Sequence, residues 1–310
     1  MTFRLGTRAS TLALVQSQSV ADALLAATGE GAELVEIVTD GDRSPAPVQK
    51  LGVGVFVSAL RDALHAKEID FAVHSYKDLP TAPSDGLTLA AVPPRDDPRD
   101  ALITRNGALL AELGPGTRVG TGAPRRVAQL RAMGRGLECV SVRGNVDTRL
   151  RKLADGQFDA LVLATAGLRR LGRTAEITEI LDPMLMLPAP AQGALAVECR
   201  AADTDLVELL AYLDDEHTRA AVTAERSLLA TLEAGCSAPV AALADVSESE
   251  DGEFEIYLRG AVFSQDGSFA VRLSATAAIT DANAVGRRLA AELLAEGAET
   301  VLGVPHDPHP

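Results

Sequence analysis

Arg8, Lys77, the pair Arg125 and Arg126, and Arg143 each follow a short apolar run and stand at or near the opening of a helical segment. In an open α/β sheet such positions line the carboxyl edge of the strands, where ligands bind. A helix N-terminus already carries positive partial charge, so each cation there costs about 0.3–1 kcal/mol unless an anion lies between. Their repetition predicts an anion site. Between residues 118 and 151 there are eight arginines, at 118, 125, 126, 131, 135, 143, 149 and 151, opposed within that window only by Glu138 and Asp147. Arg131, Arg135 and Arg151 read as a solvated stripe. Arg125, Arg126, Arg143 and Arg149 sit at turns and read as anion ligands. No G-x-x-x-x-G-K-[ST] loop occurs, and Gly52-Val53-Gly54 lacks the third glycine of a dinucleotide fingerprint. A nucleotide is therefore disfavoured, and a polycarboxylate suits the forked guanidinium better.

The elements that must hold these groups repeat the order strand, short turn, helix, which is the rhythm of a parallel sheet. Residues 3–7 lead to Ser10, a good N-cap, and a helix over 11–25. Residues 71–75 form a strand that runs into Lys77 and Asp78. Residues 117–121 precede a helix opened by Pro124. A strand over 137–142 is followed by a turn and a helix to residue 153, and a buried strand over 159–164 by a helix over 166–171. Pro/Asp-rich stretches at 93–98 and 187–193 mark crossovers between units. Beyond residue 214 the pattern changes: a long helix over 218–234, short strands at 254–258, 262–263 and 269–273, and a last helix over 282–296. That tail reads as a small α+β domain.

Composition bounds the function. The chain is 47% hydrophobic, enough for two or three domains, and its net charge is −14. A global negative field repels nucleic acid and anionic membranes alike. With 3% aromatics and no Trp there is no platform for stacking bases. No secretory signal and no transmembrane run is visible. The three cysteines, Cys139, Cys199 and Cys236, form no disulfide framework and have no metal-ligand spacing, so no metal is expected and the cytoplasm is the natural compartment.

Five motifs in register carry a family resemblance. His74-Ser75-Tyr76-Lys77-Asp78-Leu79-Pro80, Asp97-Pro98-Arg99-Asp100-Ala101, Arg143-Gly144-Asn145-Val146-Asp147-Thr148-Arg149-Leu150, Gln192-Gly193-Ala194 and Leu232-Glu233-Ala234-Gly235-Cys236 resemble hydroxymethylbilane synthase, over residues 4 to about 302. The resemblance implies two periplasmic-binding-protein-like (type II) α/β domains and a small C-terminal α+β domain. It places domain 1 at 1–94 with 194–214, domain 2 at 95–193 and domain 3 at 215–310. It implies a transferase of porphyrin and haem biosynthesis, a monomer, that condenses four porphobilinogen molecules on a dipyrromethane primer tied to Cys236. Each porphobilinogen carries an acetate and a propionate, which accounts for a basic cleft in an acidic protein.

The resemblance also assigns roles. Asp78 is the catalytic carboxylate, stabilising cationic species as ammonia leaves. Lys77, Asp78, Thr121, Arg125, Arg126, Gly144 and Arg149 hold the primer; Arg8, Ser10, Arg143, Arg149, Arg170 and Gln192 hold substrate, Gln192 with an alternative hinge role. Cys236 follows a helix C-terminus, where the dipole disfavours a thiolate, so it is a thiol alkylated once rather than a recurring nucleophile. Cys139 and Cys199 read as packing residues. The chain departs from many members at Asp40, Val53, Ser58, Gly122 and Ala123, which removes cations or hydroxyls and puts those contacts in doubt.

Overall fold

The computed structural model describes residues 2–37, 57–232 and 239–302. The chain divides into two compact units, Met1–Asp96 with Gly193–Arg219, and Asp97–Gln192 with Ala220–Pro310.

The first unit is built on a five-stranded sheet. Its parallel strands are β1 (Thr2–Thr7), β2 (Gly31–Glu36) and β3 (Phe71–Ser75). The spatial order is β2-β1-β3, then a strand returning after the second crossover, then β4 (Leu87–Ala91). Ser10 caps the helix α1 (Thr11–Thr28) as its sequence position predicts, accepting the Ala13 N–H at 3.3 Å, and Gly29 at φ 76° ends it. Alternation along β3 turns Phe71 and Val73 toward α1 and Ala72 toward the helix α2 (Ser58–His65).

Glu198 sits on the same α2 face, 4% exposed. It accepts a forked pair from Arg61 at 3.1 and 2.9 Å. His74 Nε2 lies 3.3 Å from its Oε2, off hydrogen-bond angle. Burial alone would push the Glu198 carboxyl up; His74 and Arg61 outweigh it and hold it below its ordinary 4.5. Its contribution to stability is thus complete above 4.5 and lost as pH falls through the lower folded value. Thermal unfolding of wild type and Glu198→Gln across the acid range should converge as pH drops below 4.5, the variant being the less stable at neutral pH.

The second unit repeats the pattern. Here β6 (Arg118–Gly120), β7 (Glu138–Val140) and β8 (Ala160–Ala164) are parallel, and β5 (Asp100–Thr104) runs antiparallel to β8. The order is β7-β6-β8-β5-β9, with β9 at Glu179–Ile180. The predicted parallel-sheet rhythm thus holds for three neighbouring strands per sheet. The antiparallel member is β5 here and β10 (Leu195–Arg200) in the first unit, and each begins just after a crossover. Helices α3 (Pro124–Ala132), α4 (Val146–Ala154) and α5 (Thr165–Arg170) follow β6, β7 and β8.

A third sheet is the meander β11 (Val240–Glu248), β12 (Phe254–Phe263) and β13 (Ala270–Ala278). Helices α7 (Glu216–Thr231) and α8 (Ala282–Leu293) accompany it, α6 being Thr204–Leu210. Leu228, Leu258, Leu289 and Leu293 form one core on the helix face. On the other face Ala241, Leu243 and Phe263 pack with Ala128 of α3 and Leu187. The two short strands read at 254–258 and 262–263 are a single strand. Gly260 between them is no turn: a Cβ there would meet Leu228, Leu289 and Leu293 at 2.6, 3.2 and 3.2 Å, so the glycine admits the helices. Among the described residues no helix is long and apolar enough to cross a membrane. The fold class, α/β sheets with a small α+β tail, is that expected.

Candidate functional site

In the first unit the strand order places Arg8 after β1 and the run Tyr76–Asp78 after β3, both at the carboxyl edge of parallel strands. Tyr76–Asp78 is a single 3-10 turn. Its backbone is pinned: Tyr76 N–H donates to the Ala194 carbonyl at 3.0 Å and Leu79 N–H to that of Tyr76 at 3.2 Å. Tyr76 and Leu79 are buried on either side, leaving Lys77 half-buried and Asp78 exposed. Two apolar anchors therefore hold an exposed carboxylate at a fixed place. Ser10 is the α1 cap: its hydroxyl oxygen accepts the Ala13 N–H, a bond that does not use the hydroxyl's own proton.

In the second unit the groups converge around a residue that stands in the second motif but is given no role there. Asp100 is 0% exposed and opens β5, whose antiparallel direction brings its first residue to the edge where β6 and β8 end. Arg125 Nη1 donates to Asp100 Oδ2 at 2.8 Å and to the Leu187 carbonyl at 2.6 Å. Arg126 forks onto Asp100 Oδ1 through Nε at 3.2 Å and Nη2 at 2.8 Å, and gives Nη1 to the Val162 carbonyl at 3.1 Å. Both guanidiniums are nearly buried, at 4% and 5% exposure. Burial alone would raise the Asp100 carboxyl; the charges of Arg125 and Arg126 override it and hold Asp100 well below the carboxylate range. Glu138 and Asp147 are the acidic residues within the arginine window, but the window's central pair is met from outside it. Asp100, which lies outside the window, opposes its central pair, while Asp147 pairs with Arg173 at 2.8 Å. Among the described residues, one carboxylate against two buried guanidiniums leaves an excess of positive charge, a situation that favours a further anion.

Of the remaining second-unit residues, Thr121 and Gly122 follow β6 and Arg143 and Gly144 follow β7, at the carboxyl edge of those strands. Thr121 is buried directly after β6, and its hydroxyl accepts the Ala123 N–H at 3.4 Å. Gly122 is accounted for by crowding, since a Cβ would stand 2.8 Å from the Val142 carbonyl. Gly144 has φ 104°, and a Cβ would meet Thr148 at 2.7 Å, so only glycine fits this turn. Its carbonyl accepts Arg149 Nε at 2.7 Å, which draws the Arg149 side chain back over the start of α4. Arg143 lies in that turn and Arg170 closes α5, both half-buried. Gln192 is 1% exposed and donates its Nε2 to the Pro98 carbonyl at 2.7 Å and to Asp100 Oδ1 at 2.8 Å. Its amide nitrogen thus faces inward, toward the Asp100 cluster. Arg131 and Arg135 are exposed and bonded to backbone carbonyls, Arg131 to that of Gln265 at 2.8 Å.

Cys236 lies outside the described residues, as do Asp40, Val53 and residue 54 of the glycine-bearing loop; Ser58 is the first residue of α2. Cys199 is buried as expected, with its thiol pushed up to about 11 by burial. Cys139 is only half-buried, its thiol also raised by burial. Among the described residues no cluster of His, Cys, Asp or Glu could hold a metal ion.

Comparison with known proteins adds three findings. Residues 3–208 match the family model described as porphobilinogen deaminase, dipyromethane cofactor binding domain, and residues 219–295 match that of the porphobilinogen deaminase C-terminal domain. The porphobilinogen deaminase of Nocardia farcinica is 60% identical over 303 residues, covering 96% of this chain and 87% of that protein. That of Mycobacterium tuberculosis is 58% identical over 308 residues, covering 98% and 99%. Among solved structures, the methionine binding protein MetQ overlays 69% of this chain and 91% of its own at 14% identity, with a TM-score of 0.45.

Proposed function

The chain belongs to the porphobilinogen deaminase family, and on that premise we propose how its own residues carry the family's reaction. The reaction is that of hydroxymethylbilane synthase, a transferase: four porphobilinogen molecules condense head to tail on a covalent dipyrromethane primer, four ammonia are released, and hydrolysis frees the linear tetrapyrrole.

The observation that carries the residue assignment is the buried pair Arg125 and Arg126 sharing the single carboxylate of Asp100. Its surplus charge fits a primer bearing carboxylates. Arg125 and Arg126, with Lys77, Thr121, Gly144 and Arg149, hold that primer, and Cys236 anchors it. When bound, the primer supplies the pyrrole carbon to which new units are added. Arg8, Ser10, Arg143, Arg149 and Arg170 take the substrate carboxylates. Asp78 accepts hydrogen bonds from pyrrole N–H groups and stabilises the positive charge that develops as ammonia departs. It also takes up the α-proton that the attacking pyrrole of the chain loses, after the new carbon–carbon bond forms, as that ring regains aromaticity.

We further propose three domains, 1–94 with 194–214, 95–193 and 215–310. The two sheets of like order and the separate core of the β11–β13 meander support this division. A monomer working in the cytoplasm fits the free Cys139 and Cys199 and the family's biosynthetic role.

Arg126→Lys tests the site. It keeps the charge beside Asp100 but loses the fork, so the apoprotein should load primer from porphobilinogen at least about tenfold more slowly. Intact mass followed over time reads this directly. Loading at the wild-type rate would remove Arg126 from the primer site.

A further inference from the structure

Gln192 reaches Asp100 from a backbone that needs support. Its neighbour Ala191 has φ 61°, a left-handed conformation that residues other than glycine rarely adopt. Ala191 is fully buried, and its N–H donates to Glu225 Oε2 at 2.5 Å. Glu225 stands on α7 at 0% exposure, and its Oε1 accepts the Ala244 N–H of β11 at 2.8 Å. A buried carboxylate that takes one N–H on each oxygen fixes both backbones at once. We propose that Glu225 is a positioning residue for primer capture: by holding Ala191 left-handed it sets Gln192 against Asp100, and so aligns Arg125 and Arg126. The same helix leads directly into the segment that carries Cys236. Glu225 therefore ties the stretch before the attachment point to the groups that grip the carboxylates. This rests on the reading that Arg125 and Arg126 hold the primer.

A glutamine at 225 can accept one of the two N–H groups but presents a donor to the other. Full-length apoprotein is incubated with porphobilinogen at several concentrations, and mass gain gives the half-saturating concentration and the maximal loading rate. Glu225→Gln should load about tenfold less efficiently at low porphobilinogen, the effect of losing a charge-assisted hydrogen bond. Adding Ala191→Gly, which adopts the left-handed backbone without strain, should recover most of that loss. A purely structural tie between α7 and β11 would not be rescued at residue 191, so failure of rescue overturns the proposal. If Glu225→Gln does not fold, Gln192→Leu decides: it leaves Glu225 intact and must show the same loading defect. Arg126→Lys is measured alongside. Impaired Arg126→Lys with normal Glu225→Gln and Gln192→Leu sinks this inference alone; normal Arg126→Lys sinks the underlying site reading and the inference with it.

Discussion

Asp78→Asn is expected to lower ammonia release from porphobilinogen by at least about 10²–10³-fold, with little change in thermal stability. The substitution preserves size and one acceptor oxygen, and removes both the charge and the capacity to take up a proton. A fixed carboxylate matters most where positive charge appears during the reaction and is absent before it, because such an interaction lowers the barrier without tightening ground-state binding. The loss should fall on kcat more than on KM. The fold should be indifferent: Asp78 is exposed, and the turn is held by Tyr76, Leu79 and the Ala194 carbonyl rather than by its side chain. Asp78→Glu retains the charge but moves it by one methylene, and should recover part of the rate. Ammonia release by Asp78→Asn within tenfold of wild type, on folded protein, would show that another group carries the charge stabilisation.

Asp78 takes its role from the family resemblance alone, and Asp100, which stands in another of the same motifs, takes none from it. What the residues themselves announce is set by the range over which each feature is determined. Ser10, Pro124 and Gly144 are local features. A cap, a first-turn proline or a left-handed turn is set by a few neighbouring residues, and the structure shows Ser10 capping α1, Pro124 opening α3 and Gly144 at φ 104°. Asp100 meets Arg125 and Arg126 only because β5 enters the second sheet antiparallel beside β8, a pairing between segments some sixty residues apart. No spacing rule announces that. Glu198 was opaque for the same reason, since its partners Arg61 and His74 lie on other elements, 137 residues away in the case of Arg61. The gap left between 258 and 262 is of another kind. Pattern alone does not tell a break from a glycine that admits a close approach, because the choice depends on whether helices lie above it. The crossovers at 93–98 and 187–193 were legible from their prolines, yet the role of Gln192 within the second was not, because it depends on where Asp100 and Glu225 fall in space.

Cys236→Ser is expected to abolish covalent loading altogether. An electrophilic carbon formed as ammonia leaves porphobilinogen is captured well by sulfur and poorly by a neutral serine hydroxyl, a far weaker nucleophile. Selectivity among the three thiols follows from the other two. Cys199 is buried with its thiol pushed up to about 11, so it is protonated and shielded near neutral pH. Cys139 is half-buried, and its thiol is likewise raised by burial. Neither competes through its thiolate. Wild type, Cys139→Ser and Cys199→Ser should therefore gain the same single mass increment on incubation with porphobilinogen, and Cys236→Ser none. Turnover should fall to background in Cys236→Ser, because the bond that retains the growing chain never forms. An equal mass gain in Cys236→Ser would move the anchor to a buried or half-buried thiol, and would require either that thiol to be exposed by local opening or the raised pKa values to be offset by the reactivity of the carbon. The comparison with Asp78→Asn separates attachment from turnover. Loss of Cys236 must eliminate the covalent product at any porphobilinogen concentration, whereas loss of the Asp78 charge slows every ammonia release and lets product accumulate with time.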